Sequence, residues 1–263
     1  MIAVKLFTDV PNVGDAVGAR IIENIVRRGV RIIGEASSPF PNIIGIGSIA
    51  HWADRNSTLW GCGLISDRIQ LSETPARVLA LRGYLTHDIL SARGIRCGNV
   101  IADPGLLLPD LIAPSTPRFD VGIVPHYVDR DSVFVERCRQ EGIPVIDVFA
   151  SPEEYVDLLT SCRRILSSSL HGIIFAHAYG IKAAWVRISD NVYGDGFKFR
   201  DYYSSLGIRP SDIPMTVPGQ DTMDEMIGTC GSAGTLPNRD ALRAALVEFV
   251  ASVDPSTHEG ASA

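Results

Sequence analysis

The run Ser167-Ser168-Ser169-Leu170-His171-Gly172 follows the apolar stretch Arg164-Ile165-Leu166 and leads into small and apolar residues at helical spacing. Such a strand-to-helix junction leaves the first helical N–H groups without intrahelical partners, and the helix dipole there favours an anion. His171 adds a side chain that can bind phosphate or move a proton near neutral pH. The plain alternative is a polar turn capping a buried helix. Other stretches offer related chemistry. Asn12-Val13-Gly14-Asp15 places a cap residue, a glycine and a carboxylate in one loop, where Asp15 could act as a base toward a hydroxyl or simply cap a helix. Gly45-Ile46-Gly47-Ser48 and Gly61-Cys62-Gly63 are tight turns lacking the dinucleotide-binding glycine pattern. Arg82 precedes Gly83, and its planar fork suits a carboxylate or phosphate. His126 follows Val124-Pro125 in a loop equivalent to that of His171. From Gly196 to Tyr203 cations and aromatics interleave. Lys198 and Arg200 would share one face of an extended chain and hold an anion while Tyr202 or Tyr203 stacks on a sugar.

The elements that must position these residues alternate between short apolar strands and amphipathic helices. Strands are predicted at Ile2–Phe7, Arg31–Ile33, Ile43–Ile46, Thr58–Trp60, Arg77–Leu81 and Gly98–Ile101, with helices at Ala16–Arg28 and Thr86–Arg93. The proline-rich stretch Pro104–Pro117 reads as an interdomain connection. A second series follows: strands at Phe119–Val124, Val145–Val148, Arg164–Leu166 and Ala183–Arg187, and helices at Asp131–Gln140, Pro152–Ser161 and His171–Tyr179. Asp190–Gly207 is polar and aromatic, Ser211–Pro237 is loop-rich, Arg239–Val253 is a last amphipathic helix, and the tail after Pro255 is expected to fray. The expected organisation is an α/β fold with an N-terminal domain over 1–115, a C-terminal domain over 116–237, and a helix and tail over 238–263. Two successive parallel sheets place ligands in the cleft between them, at the carboxyl ends of the strands.

Composition narrows the classes. The chain has 263 residues, 46% of them hydrophobic and 21% charged, enough for a real core. A formal charge of −6 argues against nucleic acid as a main partner, so an anionic ligand must be held by a local basic cluster. Five scattered cysteines without a CxxC pair read as reduced thiols in a cytoplasmic protein. Met1 leads straight into a strand-like run, so no secretory leader is expected. No apolar run approaches the ~20 residues that span a bilayer, which leaves peripheral membrane association open. The histidines lack ligand spacing, and no metal site is expected.

Taken together these segments resemble the polysaccharide pyruvyltransferase family. The resemblance rests on Asn12 to Asp15, Gly47-Ser48, Trp60-Gly61, Arg82 to Thr86, Asp103-Pro104, Pro125-His126-Tyr127, Ser168 to Gly172 and Lys198 to Tyr203, in that order. It implies two Rossmann-like domains facing across a cleft, similar to GT-B glycosyltransferases. It also implies transfer of pyruvate from phosphoenolpyruvate, a co-substrate needing no further cofactor, to two hydroxyls of a free or lipid-linked sugar. A cyclic ketal and phosphate result. Ser169 stands where relatives often carry arginine, so the donor charge falls to Arg82, Lys198 and Arg200. His171 is expected to bind donor phosphate and take part in proton transfer, with Ser167, Ser168, Ser169 and Gly172 cradling the phosphate. Asp15 or His126 would serve the acceptor hydroxyl, and Asn12, Gly14 and Tyr202 would line the acceptor site. Two other readings stand beside this one: a GT-B-like glycosyltransferase using a sugar nucleotide, and a non-catalytic carbohydrate-binding protein.

Overall fold

Two parallel sheets organise residues 1–253, the part of the chain described by a computed structural model. The first contains β1 (Ile2–Lys5), β2 (Val30–Ile33), β3 (Asn42–Ile44), β4 (Ser57–Trp60), β5 (Arg77–Leu81) and β6 (Val100–Ile101), in the order β2-β1-β3-β4-β5-β6. Register is fixed by pairs such as Val4 with Ile43 and Ile43 with Thr58. Every residue of β3 and β4 is buried, as expected for central parallel strands covered on both faces. The helices α1 (Val13–Val26) and α2 (Tyr84–Ala92) belong to this half. Asn12 starts α1 by accepting the Gly14 N–H (3.0 Å), and Val17, Ile21 and Ile22 form its buried stripe.

The second sheet contains β7 (Phe119–Val124), β8 (Cys162–Ser167), β9 (Lys182–Val186) and β10 (Met215–Thr216), in the order β10-β9-β8-β7. Its helices are α3 (Val133–Gln140), α4 (Pro152–Thr160), α5 (Leu170–Ala178), α6 (Phe197–Ser205) and α7 (Met223–Thr229). Ser151 with Glu154 and Thr222 with Glu225 form capping boxes that start α4 and α7. The last helix, α8 (Arg239–Val253), returns to the first half and packs on α1, β5 and β6. The Trp60 indole N–H donates to the Leu242 carbonyl (2.8 Å), tying α8 to the centre of the first sheet. The architecture is that of two Rossmann-like α/β units.

Four expectations differ from the structure. The proline-rich connection is not an open linker, because Pro104–Asp110 forms a 3₁₀ segment whose Leu106, Leu107 and Leu108 are buried against α1 and α5. Val145–Val148 makes one parallel bridge, Ile123 with Val145, rather than a strand. The chain turns away at once, with the Asp147 carboxylate accepting the Phe149 N–H (3.0 Å). The loop-rich stretch 211–237 carries β10 and α7. The fourth difference bears on function. Lys198 to Tyr203 lies on α6, not on an extended chain, so Lys198 and Arg200 point to nearly opposite sides. Gly196, in the left-handed region (φ 69°), lets the chain turn into this helix, and Phe199, Tyr202 and Tyr203 bury into the core. The tail after Pro255 lies outside the described residues.

The halves touch at specific points. The Val13 N–H donates to the Val148 carbonyl (2.8 Å), and the Tyr84 N–H donates to Ser204 Oγ (2.9 Å). A fully buried ion pair joins Arg82, at the end of β5, to Asp201 on α6. One Asp201 oxygen accepts from Arg82 Nε (2.9 Å) and Thr86 Oγ1 (2.8 Å), while the other accepts the Thr86 N–H (2.8 Å). Gly83 is required beside it, since a Cβ there would lie 1.8 Å from the Asp201 carbonyl oxygen.

Candidate functional site

Between the carboxyl ends of the two sheets lies a cleft of about 460 Å³. Asn12 and Asp15 enter it from the start of α1, and Ser48 from the turn after β3. The second half contributes His126 after β7, Ser169 and His171 after β8, and Lys198 from the first turn of α6. Six of the residues singled out from sequence therefore meet in one place: Asn12, Asp15, His126, Ser169, His171 and Lys198. The His171 ring lies directly over Gly14, where a Cβ would come within 2.1 Å of Nδ1. It also stacks on Phe175 one turn along α5 (5.6 Å, 15°).

The remaining candidates have other surroundings. Ser167 Oγ donates to the Ser169 carbonyl (2.7 Å) and accepts the Ser169 N–H (3.0 Å), so it shapes the turn. Ser168 Oγ accepts the His126 N–H (2.9 Å) and ties the two histidine loops together. Gly172 packs tightly against Val124 and Ser167. Arg200 faces away and donates to the Asp195 carbonyl (2.6 Å). Tyr202 is fully buried beside His177 (3.0 Å) and has no access to a sugar. Arg82 is also fully buried, bonded to Asp201, to the Leu64 carbonyl (2.7 Å) and to Ser48 Oγ (2.6 Å). It reaches the cleft only through Ser48, whose hydroxyl accepts from the guanidinium and so keeps its own hydrogen for a ligand.

Lys198 is thus the one Lys or Arg lining the cleft among the described residues. Burial, reinforced by Arg82 and opposed by Asp129, lowers its pKa from 10.5 to about 8. No carboxylate lies within ion-pair distance of it among the described residues, and Ser169 makes no side-chain cap bond to α5. The start of α5, the Ser169 hydroxyl and the Lys198 ammonium together favour a small anion. Desolvation and the Lys198 charge push both His126 and His171 down to about 3. At pH 7 they are neutral rings, each carrying one N–H and one lone pair.

Asp15 occupies the opposite wall. Burial raises its pKa from 3.8 to about 7, despite the Phe7 N–H and an Asn12 amide bond of 2.5 Å. A carboxyl poised there suits proton transfer at neutral pH. It also has a cost that can be measured. The folded state keeps this proton to about pH 7, while the unfolded chain releases it near 3.8. Between those values Asp15 therefore lowers stability as pH rises. Asp15→Asn should then be more stable than the wild type at pH 8, by on the order of 1–3 kcal/mol, with the advantage gone at pH 4. Urea unfolding at the two pH values reads this difference, and an equal difference at both would contradict the assignment.

Sequence reasoning missed the apolar wall formed by Phe7, Ile49, Trp52, Ile65 and Ile69. It did mark the glycine turn that carries Ser48. Trp52 and Phe7 lie 6.0 Å apart, and both come from segments just past strand ends.

The sequence profile described as polysaccharide pyruvyl transferase matches residues 60–190. The chain is 31% identical over 216 residues to the Uncharacterized protein L143 of Acanthamoeba polyphaga mimivirus, covering 79% of this chain and 75% of that protein. The chain belongs to the polysaccharide pyruvyl transferase family. It is also 25% identical over 162 residues to the Succinoglycan biosynthesis protein ExoV of Rhizobium meliloti (strain 1021), covering 60% of this chain and 49% of that protein. The chain thus aligns with about half the length of that relative. In this member of the family the profile match begins at Trp60 and takes in Arg82, His126 and the Ser167–Gly172 turn. Lys198 and Asp15 lie outside it and join the site through the fold. No described helix is long and apolar enough to cross a membrane.

Proposed function

We propose that the protein transfers the pyruvyl group of phosphoenolpyruvate to two hydroxyls of a saccharide, forming a cyclic ketal and releasing phosphate. The observation that carries this reading is the pairing across one cleft of an unpaired buried Lys198 beside the start of α5 with a proton-poised Asp15. The first wall suits a phosphate-bearing donor and the second a hydroxyl-bearing acceptor. The donor phosphate sits against the N–H groups of α5, Ser169 Oγ and Lys198, with neutral His171 donating a ring N–H. Lys198 gives a proton to the methylene carbon, which becomes the methyl group and leaves positive charge on the adjacent carbon. The first sugar hydroxyl attacks that carbon, and its proton passes to Asp15. The carbon–oxygen bond to phosphate then breaks, and the second hydroxyl closes the ring. The net balance moves the two hydroxyl protons to the methyl carbon and to phosphate.

Incubating the protein with phosphoenolpyruvate and a panel of saccharides tests this reading. Release of inorganic phosphate should match an acceptor mass gain of one pyruvyl ketal. Transfer from a sugar nucleotide, or saccharide binding with no phosphate release from any acceptor, would overturn it.

A further inference from the structure

We infer that a second cavity beside the cleft is a saccharide subsite, holding the sugar next to the one that receives the pyruvyl group. This inference rests on the proposed acceptor class. The cavity is about 450 Å³, nearly the volume of the cleft itself, and lies past the carboxyl ends of β8 and β9. It adjoins the cleft directly. Tyr193 lines both, and the consecutive residues Ser168 and Ser169 stand on either side of the shared wall. A chain of linked sugars can therefore pass from one to the other over Tyr193.

The chemistry of the walls selects a neutral polyhydroxyl ligand. Arg187 is the one cation lining the cavity among the described residues, and its guanidinium is bound to Asp190 (2.8 Å) with Asp195 nearby (3.9 Å). No cation is left for a phosphate or diphosphate, which disfavours a nucleotide. Hydrogen-bond acceptors are in excess. Asp129 is 1% exposed, and one of its oxygens takes the Ser189 hydroxyl (2.5 Å) while the other has no partner. Aromatic surface is present too. Tyr193 is 66% exposed at the rim, and Trp185 is held flat against Phe199 (4.4 Å, 8°). An aromatic face beside carboxylate acceptors is what the C–H face and hydroxyl edge of a sugar require.

The site is also preformed. Gly194, Asp195 and Gly196 all take positive φ (96°, 46°, 69°), which fixes the bend of the loop. Gly194 seats on the Ile65 carbonyl of the first half, where a Cβ would lie 2.1 Å from the oxygen. The loop thus spans from the second cavity to the wall of the cleft.

The test is direct binding to the full chain, read by tryptophan fluorescence. Probes are methyl β-glucoside against cellobiose, methyl β-galactoside against lactose, methyl β-mannoside against mannobiose, and N-acetylglucosamine against chitobiose. At least one disaccharide should bind ten-fold or more tightly than its monosaccharide. Asn191→Trp, a change at the exposed lip of the cavity, should erase that gain and leave monosaccharide affinity within two-fold. If no disaccharide gains over its monosaccharide, or if the gain survives Asn191→Trp, the subsite is refuted. Phosphate release from phosphoenolpyruvate with a monosaccharide acceptor reports separately on the proposed reaction, so the two failures are told apart.

Discussion

Replacing Lys198 with methionine should lower kcat/KM for phosphoenolpyruvate by about 10²–10³-fold, the range for removing one preorganised group that stabilises transition-state charge. The expectation follows from position. Lys198 is the cleft's own cation, and Arg82 behind it is committed to Asp201 and Ser48. Its substitution should not weaken the fold. Burial holds the Lys198 pKa near 8, below its ordinary 10.5, so the charged form disfavours folding at neutral pH and that penalty fades only as pH climbs past 8. Methionine removes the charge at similar volume, so the melting temperature should hold or rise while activity collapses. Lys198→Arg separates two roles, because arginine keeps the charge but does not release a proton at these pH values. It should recover donor binding more than turnover. In the wild type, kcat/KM should rise with pH through about 7 as Asp15 ionises and fall above about 8 as Lys198 loses its proton. Retention of wild-type kcat/KM in Lys198→Met would remove the donor-site assignment.

Asp201→Ala should destabilise the protein by about 3–5 kcal/mol, the usual effect of stripping one partner from a buried pair. Arg82 and Asp201 are both fully buried, so the variant strands a guanidinium away from water and leaves Thr86 without its acceptor. A double variant, Arg82→Met with Asp201→Leu, should recover much of that loss because no unpaired charge remains. Urea unfolding of the two single variants and the double gives the coupling. A loss under 1 kcal/mol for Asp201→Ala would mean that the clamp does not hold α6. The clamp also bears on activity, since Lys198 sits one turn before Asp201 on the same helix. Loosening α6 should therefore raise KM for the donor in the fraction that stays folded.

The βα alternation and the loops at strand ends were legible in the sequence because both depend on near neighbours. Short apolar runs, the helix cap at Asn12 and the serine–histidine turn all declare themselves within a few residues. Long-range pairing does not. Nothing near Arg82 signals that its partner is Asp201, 119 positions away, so the arginine reads locally as a free anion ligand. The segment from Lys198 to Tyr203 misleads in another way. Its alternating cations and rings imitate a strand, but the left-handed Gly196 and burial of Tyr202 and Tyr203 favour a helix. That change removes Arg200 and Tyr202 from the site while keeping Lys198 in it.

The hydrogen bond from Trp60 to Leu242 spans 182 positions and bears on how the protein is made. On the ribosome the strands of the first sheet emerge early, yet the helix that covers β5 and β6 is synthesised after the whole second sheet. Until then the apolar surface over β5 and β6 stands open to solvent or to chaperones. Vectorial synthesis cannot complete this half first, and its folding barrier includes closure of a loop that spans 182 of the 263 residues.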